Sequence, residues 1–170
     1  GALDRVPATP AQREAARRQV HTVATTVRES FRQDRSDRAF ADRVADAVVG
    51  LHLDQPSLVR TLDATVEVLR TFPVARTRPF FDSPESDQPG TGGLFAATID
   101  PWKCTGCLEC IEVCGPGALT PIAQDDDVLA GLQSRFSLMS SLPATPSRFH
   151  DGSTGPDGDL KRLMLDLPNF

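Results

Sequence analysis

The four cysteines of this 170-residue chain all lie within one short stretch, and no other cysteine occurs in the sequence. They are Cys104, Cys107, Cys110 and Cys114, and their spacing is C-x2-C-x2-C-x3-C. Such a cluster is unsuited to a hydrophobic core, because thiolates are reactive and their clustering is costly without a ligand to bind. We therefore expect the segment to wind around a shared ligand. This requirement constrains the local fold more than any other feature of the sequence.

The spacing of the thiols discriminates between the possible ligands. Zinc ribbons and fingers usually place two ligand pairs well apart, so that two turns complete a tetrahedron. Here three cysteines follow one another at intervals of three residues, and this run is one that binds iron–sulfur clusters. Disulfides are disfavoured because the expected compartment is reducing. We predict that Cys104, Cys107 and Cys110 bind a [4Fe–4S] cluster, with zinc as the alternative metal.

Cys114 is the conditional ligand of this set. In proteins that bind two clusters, the fourth cysteine of such a run ligates the other cluster, and this chain has no second run. Either Gly115 allows the chain to fold Cys114 back onto the same cluster, or the missing ligand comes from another chain. We favour ligation by Cys114, because a thiolate left over from the run would be hard to explain.

The residues around the cysteines suit a loop that is wrapped closely around a cluster. Gly106 can adopt a positive φ, so that the backbone approaches the cluster and its N–H groups bond to the sulfides. Water is expected to be excluded by apolar neighbours, namely Leu108, Ile111, Val113 and Leu119, with Ile99 and Trp102 on another side. We expect Glu109 and Glu112 to disfavour the reduced, more negative cluster, and Lys103 to favour it.

The stretch CTGCLECIEVCGPGAL resembles a ferredoxin-type [4Fe–4S] module. It departs from that pattern at Gly115, which stands between the last cysteine and the proline that normally follows it directly. Residues 99–170 are similar in their order of segments to the 2-oxoacid:ferredoxin oxidoreductases of the pyruvate type. Those enzymes carry a ferredoxin-like insert, a helical and irregular stretch, and then a thiamine-diphosphate domain. The insert of that family usually has two cysteine runs, so this chain resembles a version reduced to one.

The resemblance implies a function in electron transfer. The chain would pass single electrons through one [4Fe–4S] cluster, as a subunit or segment of a thiamine-diphosphate-dependent 2-oxoacid:ferredoxin oxidoreductase. Thiamine diphosphate would be bound by a partner domain or chain, and a soluble carrier such as ferredoxin would be a partner. No residue of this chain is expected to catalyse the carbon chemistry. The alternatives are a ferredoxin-like electron-transfer subunit of another redox enzyme and a zinc-stabilised interaction module.

The rest of the sequence predicts a mostly α fold with irregular loops. Apolar residues recur at intervals of three and four in three stretches near the N-terminus, as expected for amphipathic helices. A capping-box pattern at Thr9 predicts a helix over residues 9–33. Ser36 is expected to cap a second helix, and Pro56 to begin a third that ends at the Phe-Pro pair 72–73.

We divide the chain into four segments on this basis. Residues 1–73 are expected to form a helical packing or interaction unit, and residues 74–93 a linker rich in Pro, Gly, Ser and Asp. The pair Phe80-Phe81 is expected to dock this linker onto a core. Residues 90–93 are expected to be a spacer rather than a phosphate-binding loop, because they lack a following lysine and a preceding strand. Residues 94–123 form the ferredoxin-like [4Fe–4S] segment, which opens with a short strand over 94–99. Residues 124–170 supply a helix over 124–142, then a loop, a short last helix over 159–167 and an extended connector.

Charge and composition exclude several functions. The net charge is -5, and the basic residues are spread among acidic ones, so nucleic-acid binding, including that of an iron–sulfur sensor on DNA, is disfavoured. No apolar run approaches the ~20 residues that cross a bilayer, and no signal peptide is recognisable. The expected location is cytoplasmic. The start at Gly1 without methionine and the apolar ending at Phe170 lead us to expect a segment or subunit of a larger protein.

Overall fold

The computed structural model describes residues 1–36, 38–149 and 165 of the chain. The described residues are mostly helical, which confirms the mostly α part of the predicted fold class. No helix in this part of the chain is both long enough and apolar enough to cross a membrane. The predicted last helix over 159–167, apart from residue 165, and His150 lie outside the described residues.

Three helices form the N-terminal unit as the apolar periodicity predicts. Helix α1 runs over Pro10–Gln33, α2 over Phe40–Val49 and α3 over Pro56–Arg70. At the start of α1, Thr9 Oγ1 accepts a hydrogen bond from the N–H of Gln12 (3.2 Å), and Gln12 Oε1 accepts one from the N–H of Thr9 (2.7 Å). The predicted capping box is therefore confirmed.

The start of the second helix differs from the prediction. Helix α2 begins at Phe40 with Ala39 as its N-cap, and no side chain caps it. The Ser36 hydroxyl instead donates to Asp34 (2.8 Å), and the Ser36 carbonyl accepts from Arg43 (3.1 Å). Ser36 is therefore part of the turn between α1 and α2 rather than a helix cap.

The core lies between these three helices. Its buried side chains come from the predicted apolar faces, and they include Val27, Phe31, Val44, Val48, Leu58, Leu62 and Val66. Val20, which belongs to the predicted face of α1, is the exception, because 49% of it is exposed. The face of α1 is thus covered at its C-terminal half and partly open at its N-terminal half.

Two arginines donate hydrogen bonds to backbone carbonyls at the C-terminal end of α1. The side chain of Arg43 is buried and donates to the carbonyls of Ser30 (3.0 Å), Asp34 (3.2 Å) and Ser36 (3.1 Å). The Arg76 guanidinium donates to the carbonyl of Phe31. Cations and donors at this position satisfy carbonyls that the helix leaves unpaired and complement its dipole.

Residues 78–87 do not form the irregular spacer that their composition predicts, whereas residues 88–93 are turn and irregular backbone. A π-helical turn covers Arg78–Asp82, and a short helix, α4, covers Ser83–Asp87. Phe81 is buried in the three-helix core, as expected for a docking side chain, and its ring lies 5.6 Å from that of Phe31. Helical periodicity cannot be recognised over such short turns, so composition alone gave the wrong expectation here.

The predicted strand over residues 94–99 is wrong. Only Phe95 pairs, through an antiparallel bridge to Ala75 with N···O distances of 2.7 and 2.9 Å. An apolar run can form a strand only where a second strand lies beside it. Here the neighbouring segment turns away into the π-helical turn after Thr77.

Helix α6 runs over Asp126–Ser140, close to the predicted 124–142. Asp125 caps it, accepting from the N–H of Val128 (2.8 Å). Its single buried side chain is Leu138. Arg5 holds the helix by donating to the carbonyl of Ser134 (3.2 Å) and the hydroxyl of Ser137 (2.8 Å). Between α4 and α6 lies the cysteine segment, which includes α5, Glu109–Glu112.

Candidate functional site

A turn at Asp100 leads the chain into the cysteine run, as the Asp-Pro pair predicts. The carbonyl of Asp100 accepts from the N–H groups of Lys103 (3.3 Å) and Cys104 (3.0 Å). Its side chain accepts from the N–H of Trp102 (2.9 Å), an Asx turn that needs a short carboxylate at this position. Cys104 is thereby fixed at the end of a tight turn.

The loop after Cys104 contains two residues in the left-handed region. Gly106 has a φ of 69°, which confirms the expectation of a positive φ at this glycine, and Leu108 has a φ of 65°. A positive φ is uncommon for leucine, and sequence reasoning did not identify it. Leu108 is the N-cap of α5, and Cys110 lies in the first turn of that helix.

Cys114 occupies a different environment from the other three cysteines. The N–H of Ala118 donates to its sulfur at 3.2 Å, and its carbonyl accepts from the N–H of Gly117 (2.9 Å). Gly117 has a φ of 64°, which allows the chain to turn back towards the sulfur. Cys104, Cys107 and Cys110 are exposed, whereas Cys114 is half-buried.

The four thiols are close in sequence but are not gathered at one point. Within residues 1–36 and 38–149, no three side chains of Cys, His, Asp or Glu converge as metal ligands do. The assignment of Cys104, Cys107, Cys110 and Cys114 as ligands therefore stays a prediction. Metal sites rarely exist preformed, because the free energy of metal binding itself organises the ligands.

The residues present fit a [4Fe–4S] cluster in their chemistry. Four thiols supply the donor set that such clusters require. In addition, the backbone N–H groups of residues 105–110 find no acceptor among the described residues. Amide donors of this kind bond to cluster and ligand sulfurs and tune the reduction potential. The loop thus carries both the ligands and a set of donors that are free to approach a cluster.

The apolar cover expected around the run is not in place. No side chain of residues 101–122 is buried. Several of the expected covering residues are strongly exposed: Val113 by 82%, Leu108 by 48% and Leu119 by 45%. Trp102 is 64% exposed and touches only one aromatic partner, Phe136, at 5.8 Å between ring centroids. Since none of these residues enters the core, the segment lies on the surface of the helical part.

Sequence reasoning missed a buried carboxylate outside the run. Only 8% of Glu85 is exposed. Burial raises the pKa of its carboxyl group. The N–H groups of Gly90 (2.9 Å) and Gly92 (3.1 Å) donate hydrogen bonds to the carboxylate, and the charges of Arg32 and Arg28 are nearby. Together these interactions outweigh the effect of burial, so the pKa lies below its usual value. The sequence predicts that the Gly-rich turn at residues 90–93 is a spacer. Its position a few residues after Glu85 is the one sequence signal that it could bind this carboxylate.

The glycines of that turn permit a close approach to their neighbours. A Cβ at Gly92 would lie 2.5 Å from Cγ of Glu85, and one at Gly93 would lie 2.6 Å from the Phe149 ring. The N–H groups of this turn therefore bind the carboxylate of Glu85. This agrees with the sequence-based conclusion that residues 90–93 do not form a phosphate-binding loop.

Comparisons with known proteins give no relative for this chain. No protein-family model matches it, and no curated protein or solved structure is significantly similar to it.

Proposed function

We propose that this chain transfers single electrons through one [4Fe–4S] cluster bound by Cys104, Cys107, Cys110 and Cys114. The observation that carries the proposal is the run of four cysteines at C-x2-C-x2-C-x3-C spacing. Its placement on a surface loop with unpaired N–H groups supports it. When bound, a cluster of this type supplies a one-electron couple whose potential depends on charge, hydrogen bonds and solvent exposure.

The residues of the loop have distinct roles in this proposal. Gly106 and Leu108, with positive φ, curve the backbone of the loop, and the amides of residues 105–110 would be available as donors to a bound cluster. The N–H of Ala118 bonds to the sulfur of Cys114 and disperses the charge of its thiolate. Cys104, Cys107 and Cys110, which are exposed, are free to move towards a common centre.

We further propose that the chain is the electron-transfer part of a 2-oxoacid:ferredoxin oxidoreductase that depends on thiamine diphosphate. The resemblance of CTGCLECIEVCGPGAL to the ferredoxin-type module, and the order of segments after it, support this assignment. Thiamine diphosphate belongs to a partner domain or chain, and electrons pass to a soluble carrier such as ferredoxin. Such a complex would work in the cytoplasm, where cysteine thiols stay reduced.

Anaerobic purification of the full chain, followed by iron and sulfide analysis, tests the cluster. We expect about four irons and four sulfides per chain and an electron paramagnetic resonance signal after reduction. Bound zinc without sulfide would contradict the proposal and favour the zinc-stabilised module, since zinc has no redox chemistry.

Isolation of the chain from its native cells with its partners tests the family assignment separately. A copurifying chain that binds thiamine diphosphate is the expected result. An iron–sulfur cluster together with a different redox enzyme would keep electron transfer but replace the 2-oxoacid oxidoreductase by another complex.

A further inference from the structure

The three-helix unit contains a cavity that is remote in sequence from the cysteines. Its volume is about 410 Å³, and every residue that lines it precedes residue 95. The wall is almost entirely apolar and includes Val23, Val27, Val44, Val48, Leu62 and Leu69. Close-packed protein cores contain few voids larger than one water molecule. This volume falls instead within the range of small-molecule sites.

The cavity opens to solvent along α1. Val20 and Ala24 line it and are both exposed, Val20 by 49%. The open side lies near the middle of α1, between the buried residues Ala16 and Val27. A ligand can therefore enter without unfolding of the helical unit.

Among the described residues that line the cavity, Arg28 is the one that carries a charge. It is 47% exposed, and its nearest anionic group is the carboxylate of Glu85, at 3.6 Å from Nε to Oε1. It donates no hydrogen bond to any described residue. A guanidinium carries five N–H donors, so Arg28 offers unused donors at the edge of an apolar space.

Glu85 does not depend on Arg28 for its partners. Its carboxylate accepts hydrogen bonds from Gly90 (2.9 Å) and Gly92 (3.1 Å) and forms an ion pair with Arg32 (3.3 Å). Two amides and one arginine already compensate its charge. Arg28 can therefore turn to a second anion without leaving a buried carboxylate unpaired.

We propose that this cavity binds a medium-chain fatty carboxylate, with its alkyl chain among the helices and its carboxylate on Arg28. Apolar walls of this volume suit an alkyl chain, and the unused donors of Arg28 suit a planar carboxylate, which a guanidinium binds in two-pronged fashion. A neutral apolar ligand would leave these donors unused. This site is separate from the cysteine run and goes beyond the proposed electron transfer.

Titration calorimetry of the full chain with dodecanoate, below its micelle concentration, tests the proposal. We expect saturable binding to one site. Arg28→Gln should weaken dodecanoate binding about tenfold, since it removes a charged hydrogen-bonding partner, and should leave dodecanol binding unchanged. Arg18→Gln is the matched control, because Arg18 lies on the same helix, is 65% exposed and does not line the cavity.

A second variant distinguishes binding of dodecanoate in the cavity from its nonspecific binding as a surfactant. Ala24→Phe places a ring in the mouth of the cavity on an exposed helical position, where folding is little affected, and should abolish binding of both ligands. The proposal is overturned if dodecanoate fails to bind, if Ala24→Phe binds it normally, or if Arg28→Gln binds it as the parent chain does. It is also overturned if sedimentation shows a dimer that Ala24→Phe dissociates, because a second copy would then cover the cavity.

Discussion

At the scale of single residues, the guanidinium of Arg43 is a charged group that is fully buried. Its side chain has no exposed area, and it lies over the ring of Phe31 at 4.5 Å. It also pairs with Asp34 at 3.2 Å, and that carboxylate is about half exposed. The group joins one carbonyl of the last turn of α1 to two carbonyls of the turn between α1 and α2, so the geometry of that turn depends on one side chain.

We predict that Arg43→Met lowers the free energy of unfolding by about 3 kcal/mol, because buried carbonyls lose a charged donor. Urea denaturation followed by circular dichroism measures the change. Arg38→Met is the control, since Arg38 is 42% exposed and its pair with Asp46 lies at the surface; surface pairs contribute about 0–1 kcal/mol. Equal losses in the two variants would refute a special role for Arg43.

Glu85 gives a prediction on pH. Its pKa in the folded chain is lowered from the usual 4.5, so the folded state favours the ionised form. The resulting stabilisation is complete above the unfolded-state pKa and is lost as the pH falls from about 4.5 through the lowered folded-state pKa. The parent chain should therefore lose more stability than Glu85→Gln between neutral pH and pH values below that window.

The difference between the two urea midpoints, measured as a function of pH, isolates this group. Other carboxylates with a lowered pKa, such as those of Asp34 and Asp46, are present in both proteins and cancel. A difference that is independent of pH would contradict the role of the Glu85 charge.

At the scale of elements, the proposed cluster depends on the loop from Cys104 to Ala118. The bond from the N–H of Ala118 to the sulfur of Cys114 shows that the chain after Gly115 turns back on this cysteine. It does not bring Cys114 to the other three thiols, so ligation of the same cluster by Cys114 stays a prediction.

We predict that Cys114→Ser retains much less iron and sulfide than the parent chain after anaerobic reconstitution, because a serine oxygen is a poor substitute for thiolate. Iron and sulfide analysis with the absorption spectrum measures the loss. Thr105→Ala, in the same loop but without a ligand atom, should retain the cluster. If Cys114→Ser keeps a complete cluster, the fourth ligand lies on another chain.

The elements also show which patterns a sequence reveals. Helices α1 to α3 are predictable, because residues such as Val27, Val44 and Leu62 repeat with the helical period over ten residues or more. Helix α4 is not, because five residues are too few for a period. The prediction of a strand over residues 94–99 is wrong because strand pairing depends on a partner strand, which the local sequence does not encode. In the candidate site, spacing singles out the four thiols, but the described residues do not bring them together.

At the scale of the whole molecule, the helical unit and the cysteine segment draw on different sources of stability. The core is built from residues up to Phe81 with Leu94 packed against it, whereas residues 101–122 bury no side chain. Hydrophobic burial stabilises the first part. Metal binding would organise the second.

We predict that removing the metal with a chelator leaves the cooperative unfolding of the helical unit unchanged. The helical circular dichroism signal and its urea midpoint should be the same before and after chelation, while the visible absorption of the cluster disappears. Arg43→Met should lower the midpoint equally in both states. A large shift of the midpoint on chelation would show that the cluster also stabilises the helices.

The surface position of the cysteine segment also bears on how such chains change over time. Because no side chain between residues 101 and 122 enters the core, insertions and deletions there need no compensating change in α1, α2 or α3. A change in the length of this segment is therefore expected to leave the packing of the three helices intact.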